Sequence, residues 1–358
     1  MSRWGVDLGT VDATLPDVVK GRVLHIDSDF CSYHGTLADE NGMYPSVGES
    51  IERMVIQGDT LRALAAAEHM VFHFTHPESP KAGRYDAAIQ QPYQDNRVVD
   101  ESTLSGEQLI TYLDRQQHKE CVKAARIGFA KVYADRRDHH GHTIQAHMEY
   151  KLEADDSLSI ALNDDPNAVL WSPDKDLRMV TGKHLVEGEY YIKDVDGFGG
   201  CYIKDTASGK QAKGYGTSWF WHQMLIGDTA DNIKGCAKLA KSINDKMFPN
   251  KALLDAHERL KDGRKLTKAN QTALDRGDAL LGHVKAVELL KDCHSDIECL
   301  KLVAECYQAY YGDSWYSEHT GKTHNWTEIF YESAKLLWMQ RTRDVNDFKI
   351  FIGEVKNG

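Results

Sequence analysis

Residues 22–29 have the sequence Arg-Val-Leu-His-Ile-Asp-Ser-Asp, in which strand-forming residues lead directly into two acidic side chains. Residues 47–69 then have helical composition, and residues 70–76, Met-Val-Phe-His-Phe-Thr-His, are a second apolar run of strand length. A third run of this kind, Ala-Val-Leu-Trp at residues 168–171, is ended by Pro173. Strands and helices that alternate at this spacing predict βαβ units and an α/β fold with a mostly parallel sheet.

Acidic residues recur where the predicted strands end and where the following helices begin. Ligands of open parallel sheets bind in the crevice beyond the carboxyl ends of the strands, so acids from separate βα units can converge there. The set of nine comprises Asp27, Asp29, Glu153, Asp155, Asp156, Asp174, Asp176, Asp228 and Asp231.

Nine carboxylates in one crevice cannot all stay ionised without a counter-charge. Hard divalent cations with oxygen ligands supply that charge, and two such ions about 3.5–4 Å apart suit in-line displacement at a phosphodiester. Turns and helix caps alone account for any single acidic pair, but they account less well for four clusters in this order.

Composition limits the remaining classes of protein. The 358 residues include 43 Lys and Arg against 54 Asp and Glu, which gives a net charge of −11, and the mean hydropathy is −0.52. We expect neither a membrane span nor a signal peptide, and the charge argues against a protein that coats nucleic acid through bulk positive charge. Seven cysteines without a CxxC pair indicate reduced thiols in a cytoplasmic protein.

Three other patterns are interpreted as structural. Residues 190–193 and 201–204 are predicted to pair as a hairpin through Asp196-Gly197. The histidines at 139, 140, 142 and 147 are interpreted as a solvated turn, and the aromatic residues between 315 and 338 as core.

The motifs in sequence order resemble those of the 5′-nuclease (flap endonuclease) family, which includes phage 5′→3′ exonucleases. They are Ile26-Asp27, Glu153-Ala-Asp-Asp156, Ser172-Pro-Asp-Lys-Asp176 and Gly227-Asp-Thr-Ala-Asp-Asn232. The resemblance covers about residues 27–290 and implies a PIN-like sheet with a helical arch and a helix–hairpin–helix region. It implies one metal site near Asp27, Glu153, Asp155, Asp156 and Asp174, and a second that involves Asp176, Asp228 and Asp231. Asp29 lies beside the motif.

The resemblance also implies domain limits. We predict an N-terminal extension at 1–21 and a nuclease core at 22–233, with an arch or gateway region at 77–150. A helix–hairpin–helix region with a basic insertion follows at 234–310, and a C-terminal helical segment at 311–358.

The chain departs from the family pattern in three places. His76 stands where the family has an acid after the second strand, which makes it a further metal-proximal candidate. Gln94 replaces the Lys of a Tyr-Lys-x-Asn-Arg segment. The candidates to contact the phosphate in its place are Arg84, Arg97, Lys119, Lys123 and Arg126, of which Arg84 and Arg97 are the candidate catalytic residues. About 45 residues, roughly 236–280, are inserted after Gly235.

Residues 234–291 carry 13 Lys and Arg against 7 Asp and Glu, a net charge of +6. A basic helical module beside acidic metal sites fits duplex binding through phosphates, although a solvated helical face is the plainer interpretation. The candidate DNA-binding residues are Lys234, Lys238, Lys261, Arg264, Lys265, Lys268 and Lys285.

The resulting expectation is a Mg²⁺-dependent 5′→3′ exonuclease or structure-specific flap endonuclease, with two ions that Mn²⁺ can replace. Its substrate would be a DNA duplex with a 5′ end or flap, with RNA–DNA hybrid as a further substrate, in DNA replication or degradation. We expect a monomer without a membrane partner, in the host cytoplasm if a phage encodes it. Two alternatives stay open: a nucleic-acid-binding relative without catalysis, and a phosphatase with an aspartyl nucleophile in Asp27-Ser-Asp29.

Overall fold

The computed structural model describes residues 15–357, apart from residues 187, 189, 190, 208, 276–278 and 345. Most of the predicted N-terminal extension, residues 1–14, and the start of the predicted hairpin at Tyr190 therefore lie outside the described residues. Within this part of the chain, no helix combines the length and the apolar character that crossing a bilayer requires. All seven cysteines are unbridged, as predicted.

The strands lie between residues 19 and 324 of the chain. They are β1 (Val19–Asp27), β2 (Ala67–Thr75), β3 (Arg137–His139), β4 (His142–Glu149), β5 (Val169–Trp171), β6 (Gly182–Leu185), β7 (Ile192–Val195), β8 (Gly200–Thr206), β9 (Gly209–Tyr215), β10 (Lys238–Leu239), β11 (Ala279–Leu280), β12 (Trp315–Ser317) and β13 (Lys322–His324).

The α-helices are interspersed with these strands. They are α1 (Ser28–Gly35), α2 (Val47–Leu64), α3 (Arg84–Ala87), α4 (Gly106–Tyr133), α5 (Ala154–Asp164), α6 (Thr217–Ile226), α7 (Lys241–Met247), α8 (Lys251–Lys261), α9 (Lys268–Leu274), α10 (His283–Leu290), α11 (Asp296–Tyr311), α12 (Trp326–Leu337) and α13 (Asp347–Asn357).

The chain divides into two compact units. Unit 1 comprises the described residues within 1–83, 98–197 and 339–349, and unit 2 comprises those within 84–97, 198–338 and 350–358. The limits predicted from the family resemblance stay predictions.

Unit 1 is built on a sheet in which β3-β4-β2-β1-β5-β6-β7 are neighbours. The pairs β4–β2, β2–β1, β1–β5 and β5–β6 are parallel, and only β3 and β7 at the edges of this sheet are antiparallel. Numbered in chain order, the five parallel strands have the spatial order 3-2-1-4-5. This is the order of a doubly wound sheet, and it reverses between β1 and β5. The predicted mostly parallel α/β sheet is confirmed.

The two faces of this sheet differ in polarity because side chains alternate along each strand. Leu24 and Ile26 of β1 belong to one apolar core with buried residues of α2 and α4. His25 lies on the opposite face, where its Nδ1 is 2.9 Å from Nε2 of His73. Nδ1 of His73 is in turn 2.8 Å from the Ser157 hydroxyl of α5. Burial lowers the pKa of His25 to about 4, and it also lowers the pKa of His73, so this buried pair is uncharged at neutral pH.

The predicted hairpin between residues 190–193 and 201–204 is wrong. β7 pairs antiparallel with β6, and β8 pairs antiparallel with β9. Gly199 has a φ of +65°, and a Cβ there would meet the Tyr215 carbonyl oxygen at 1.9 Å. The glycines of this segment therefore allow the chain to approach β9 closely instead of forming a two-residue turn.

Unit 2 contains the predicted insertion and shows how the chain enters and leaves it. β10 pairs antiparallel with β11, and the amide of Leu281 donates to the Ala237 carbonyl at 3.0 Å. Helices α7, α8 and α9 lie between these two strands in the sequence. We call residues 240–278 the inserted module, because its two ends meet in this ladder.

Candidate metal centre

Asp27 stands at the junction between β1 and α1. Its carboxylate accepts a hydrogen bond from the amide of Phe30 at 3.3 Å, which caps α1, and another from the Ser172 hydroxyl at 2.7 Å. Ser172 directly follows β5, so this contact joins the carboxyl ends of the two strands at which the strand order reverses. That position is where ligands bind in doubly wound sheets.

The electrostatics of Asp27 show a crowded acidic site. Burial is the main cause that raises the pKa of Asp27 to about 7, and the charges of Asp29 and Asp174 contribute to this rise. The hydrogen bonds from Ser172 and Phe30 oppose the rise but do not cancel it. Asp27 is 5% exposed, so water cannot stabilise its negative charge against repulsion by the neighbouring carboxylates.

Asp155, in the first turn of α5, faces the same site. Removal from water raises the pKa of Asp155 well above its ordinary value, and the charges of Asp27, Asp174, Glu153 and Asp29 raise it further, in that order. Residues from the ends of β1 and β5 and the start of α5 therefore converge. We call Asp27, Asp29, Glu153, Asp155 and Asp174 the carboxylate cluster.

Two cations lie at the edge of the carboxylate cluster. Lys81 Nζ is 3.0 Å from Glu153 Oε1, and Arg126 Nη1 of α4 is 3.1 Å from Asp29 Oδ1. Both cations are about one-fifth exposed. Lys81 has a φ of +50°, which is uncommon for a residue with a side chain, so the local fold holds it in place.

Thr75, like Lys81, is a site residue that sequence reasoning missed. Its amide donates to Asp29 Oδ1 at 3.1 Å, and its hydroxyl accepts from the amide of Ala154 at 2.8 Å. It thereby ties the end of β2 to Asp29 and to the start of α5. His76 stacks on Tyr150 at a ring distance of 4.6 Å and accepts from the amide of Glu78 at 3.2 Å, and its proximity to a metal stays a prediction.

The carboxylate of Asp156 is held by two backbone amides. One carboxylate oxygen accepts from the amide of Glu153 at 3.2 Å, in the capping box of α5, and the other accepts from the amide of Gln340 at 3.2 Å. Asp156 is fully buried. These contacts favour a role in orienting α5, whereas direct metal ligation by Asp156 stays a prediction.

The second predicted group of metal ligands involves both units. In unit 1, Asp176 begins a short 3₁₀-helix, and its carboxylate pairs with Lys175 at 2.9 Å. In unit 2, Asp228 is buried and accepts from the amide of Ala230 at 2.9 Å. The grouping of Asp176 with Asp228 and Asp231 stays a prediction.

Asp231 is held by the segment in which Gln94 replaces the expected Lys. It accepts hydrogen bonds from the Tyr93 hydroxyl at 3.1 Å and from Gln94 Nε2 at 2.9 Å, and it forms an ion pair with Arg97. Arg97 is 54% exposed, so its guanidinium still reaches solvent.

Arg84 has a different environment from the one its predicted role requires. Its side chain is 1% exposed, and Nη2 donates to the Trp338 carbonyl at 3.1 Å within unit 2. This burial favours a structural role for Arg84 over contact with a phosphate.

Most of the predicted DNA-binding cations are exposed. Lys285 is the half-buried exception: it donates to Asn244 at 3.1 Å and lies 5.5 Å from the centre of the Phe248 ring. Arg264 is paired with Asp262 at 2.8 Å. The exposed members are Lys234, Lys238, Lys261, Arg264, Lys265 and Lys268.

The carboxylate cluster fits a hard divalent cation. Its donors are all carboxylate oxygens, which is the ligand type that Mg²⁺ and Mn²⁺ prefer. The pKa values of Asp27 and Asp155 are raised although Lys81 and Arg126 lie beside the cluster, so these two cations do not balance its negative charge. A divalent ion would supply that charge.

Comparisons with known proteins gave matches among solved structures only. No family model matches the chain, and no curated protein matches it. A bacteriophage T5 protein co-crystallised with metal ions is 14% identical, with a TM-score of 0.39, over 88% of this chain and 98% of that one. The bacteriophage T5 flap endonuclease in a complex with DNA and metal ions is 13% identical, with a TM-score of 0.40, over 88% and 99%. A T5 5′-exonuclease mutant is 12% identical, with a TM-score of 0.34, over 88% and 97%.

Proposed function

We propose that this chain is a Mg²⁺-dependent nuclease that hydrolyses DNA phosphodiesters from a 5′ end or at a 5′ flap. The observation that carries the proposal is the carboxylate cluster, placed where the strand order reverses and with two raised carboxyl pKa values. The order of the acidic motifs, which resembles that of the 5′-nuclease family, supports the choice of DNA and of the 5′ end.

The carboxylates and the two cations have separate tasks in this proposal. Asp27, Asp155, Asp174 and Glu153 would hold Mg²⁺, and Thr75 and Asp156 would fix the strand and helix ends that carry them. When bound, Mg²⁺ lowers the pKa of water and neutralises the charge that develops on the phosphate. Lys81 and Arg126 would contact phosphate oxygens at the edge of the cluster.

Cleavage of a 5′-labelled DNA flap and of the matched duplex tests the proposal. Mg²⁺-dependent release of labelled products is expected, and EDTA should abolish it. Hydrolysis of p-nitrophenyl phosphate without DNA cleavage would instead support the aspartyl-phosphatase alternative. DNA binding without cleavage of any of the substrates would support a relative without catalysis. An RNA–DNA hybrid in the same assay tests the wider substrate range.

Lys81→Ala is expected to lower the cleavage rate by about 100-fold, because it removes a fixed positive charge from the carboxylate cluster. The control is Lys20→Ala, which removes an exposed lysine at the amino end of β1. Single-turnover rates at saturating Mg²⁺ separate loss of rate from weaker metal binding. An unchanged Lys81→Ala rate would remove this residue from the mechanism.

Charge reversal of Lys265 and Lys268 to Glu is expected to weaken duplex binding by about 10-fold and to reduce the dependence of affinity on salt, because two phosphate contacts are lost. Reversal of Lys301 and Lys322, two exposed lysines of the same unit outside the inserted module, is the matched control. Fluorescence anisotropy at several salt concentrations measures both quantities. Equal losses of duplex affinity in the two double variants would show that the inserted module does not contact DNA.

A further inference from the structure

A cluster of imidazoles lies at the amino end of the unit 1 sheet. His139 ends β3 and His142 begins β4, on either side of the β3–β4 turn at residues 140–141, and Asp59 of α2 lies against both. β4 begins at His142 and spans eight residues, or about 25 Å at a normal rise per residue. The carboxylate cluster is built at the carboxyl ends of the parallel strands, so the two groups are at opposite ends of the sheet.

The donor atoms of this second group are already close together. His142 Nε2 is 2.7 Å from Asp59 Oδ1, and His139 Nε2 is 3.3 Å from Asp59 Oδ2. One donor atom from each residue lies within 4.8 Å of the other two. Ligand atoms around a tetrahedral Zn²⁺ ion with bonds of about 2.1 Å are about 3.4 Å apart. Small side-chain adjustments therefore bring this set to metal-binding distances.

His142 is the most buried member of the group. It is 6% exposed, and its Nε2 lies 2.7 Å from Asp59 Oδ1. A buried imidazole nitrogen and a carboxylate oxygen this close form a pair of donors that a bound cation can share.

The neighbouring charges are compatible with a bound cation. Arg62 Nε lies 3.5 Å from Asp59 Oδ1, but Nη1 of the same guanidinium donates to the Ala67 carbonyl at 3.0 Å. Arg62 is therefore anchored to the backbone at the end of α2, and Asp59 retains its second oxygen for a ligand. His140 is exposed at the tip of the turn, where its ring centre is 4.5 Å from that of His139.

We propose that Asp59, His139 and His142 form a Zn²⁺ site that fastens α2 to the β3–β4 turn. Two imidazoles and one carboxylate are a ligand set typical of Zn²⁺, which such nitrogen donors favour over Mg²⁺. Water completes the tetrahedral coordination. The site is independent of the carboxylate cluster and acts on the stability of unit 1.

Co²⁺, a spectroscopic substitute for Zn²⁺, provides the first test. The metal-free full chain is titrated with Co²⁺ in excess Mg²⁺, which occupies oxygen-only sites. The visible absorption bands of tetrahedral Co²⁺ are expected at one equivalent per chain. His139→Ala and Asp59→Asn should each weaken Co²⁺ binding by about 100-fold or more, whereas His140→Ala should leave it unchanged.

Thermal unfolding provides the second readout, because both replaced residues are only half-buried and the variants should fold. Zn²⁺ is expected to raise the unfolding temperature of the wild type and of His140→Ala, but not that of His139→Ala. The proposal is wrong if the wild type shows no tetrahedral Co²⁺ spectrum, if the spectrum persists in His139→Ala, or if His140→Ala abolishes it.

Discussion

Asp155→Asn is expected to lower Mg²⁺-dependent DNA cleavage by about 1,000-fold or more without unfolding the protein. Asp155 experiences the charges of four other carboxylates, which raise its pKa together with its removal from water. The amide retains the size of the side chain but removes the charge that a divalent ion needs. Loss of a charge that stabilises a transition state typically costs about 100- to 1,000-fold, and weaker metal binding adds to this loss.

The control for this prediction is Asp164→Asn in the last turn of the same helix, where the side chain is exposed. Wild type and both variants are compared on one 5′-labelled substrate at several Mg²⁺ concentrations, with circular dichroism to verify folding. Asp164→Asn should cleave at the wild-type rate. Comparable activity of Asp155→Asn at any Mg²⁺ concentration would contradict the assignment of the carboxylate cluster.

The contribution of Asp27 to the stability of the metal-free protein is expected to fall as the pH rises from about 4 to 7, whereas the contribution of the buried neutral histidines His25, His73 and His184 rises over the same range. The pKa of Asp27 is about 7 in the folded chain against 3.8 for an ordinary aspartate side chain, so in this range Asp27 binds more protons in the folded state than in the unfolded state. The contribution of Asp27 to folding stability therefore falls with rising pH. Each pKa unit corresponds to about 1.4 kcal/mol, so the loss is on the order of 2 to 4 kcal/mol.

Two additions distinguish this effect from general acid stabilisation. Saturating Mg²⁺ should restore most of the lost stability at pH 7, because the ion compensates for the crowded charges. The stability of Asp27→Asn relative to the wild type should increase between pH 4 and 7 without metal, because the variant lacks the falling contribution of Asp27, whereas the stability of Asp164→Asn relative to the wild type should stay constant. Urea unfolding at fixed ionic strength measures the stability. A difference between Asp27→Asn and the wild type that stays constant between pH 4 and 7 would contradict the proposed coupling.

The framework of unit 1 could be predicted from its sequence because the signals are local. Alternating apolar residues predict β1 and β2. The acids that directly follow strands lie in the βα connections, so their position in the sequence predicts their position in the fold. The pattern therefore predicted the mostly parallel sheet, and it predicted Asp27 and Asp174 beside one another. The 3-2-1-4-5 order brings β5 next to β1 and explains why these two meet.

The remaining features depend on contacts that sequence spacing does not reveal. β2 ends at Thr75, whose amide and hydroxyl bind Asp29 and the start of α5. Thr75 is not acidic, so the pattern of acidic residues could not identify it as a site residue. Arg84 looked like a phosphate contact because of its position in a motif, but its burial depends on packing with a residue 254 positions away. Lys81 gave no signal because its position depends on an uncommon backbone conformation.

The two histidines beside the β3–β4 turn also depend on a contact that sequence spacing does not reveal. Their pattern indicated a solvated turn, because it has no partnering cysteine and no clear helical spacing. Asp59 is about 80 residues away and meets them only because α2 packs beside the start of β4. The signal for a metal site was therefore present in the residue types but not in their spacing.

The most direct measurement of the central claim is cleavage of a 5′-labelled flap by the wild-type chain, with Mg²⁺, with Mg²⁺ plus excess EDTA, and with Mn²⁺. Short labelled products are expected with Mg²⁺ and with Mn²⁺, and an intact substrate is expected with EDTA. Products that persist in EDTA, or an intact flap and an intact duplex under all three conditions, would contradict it.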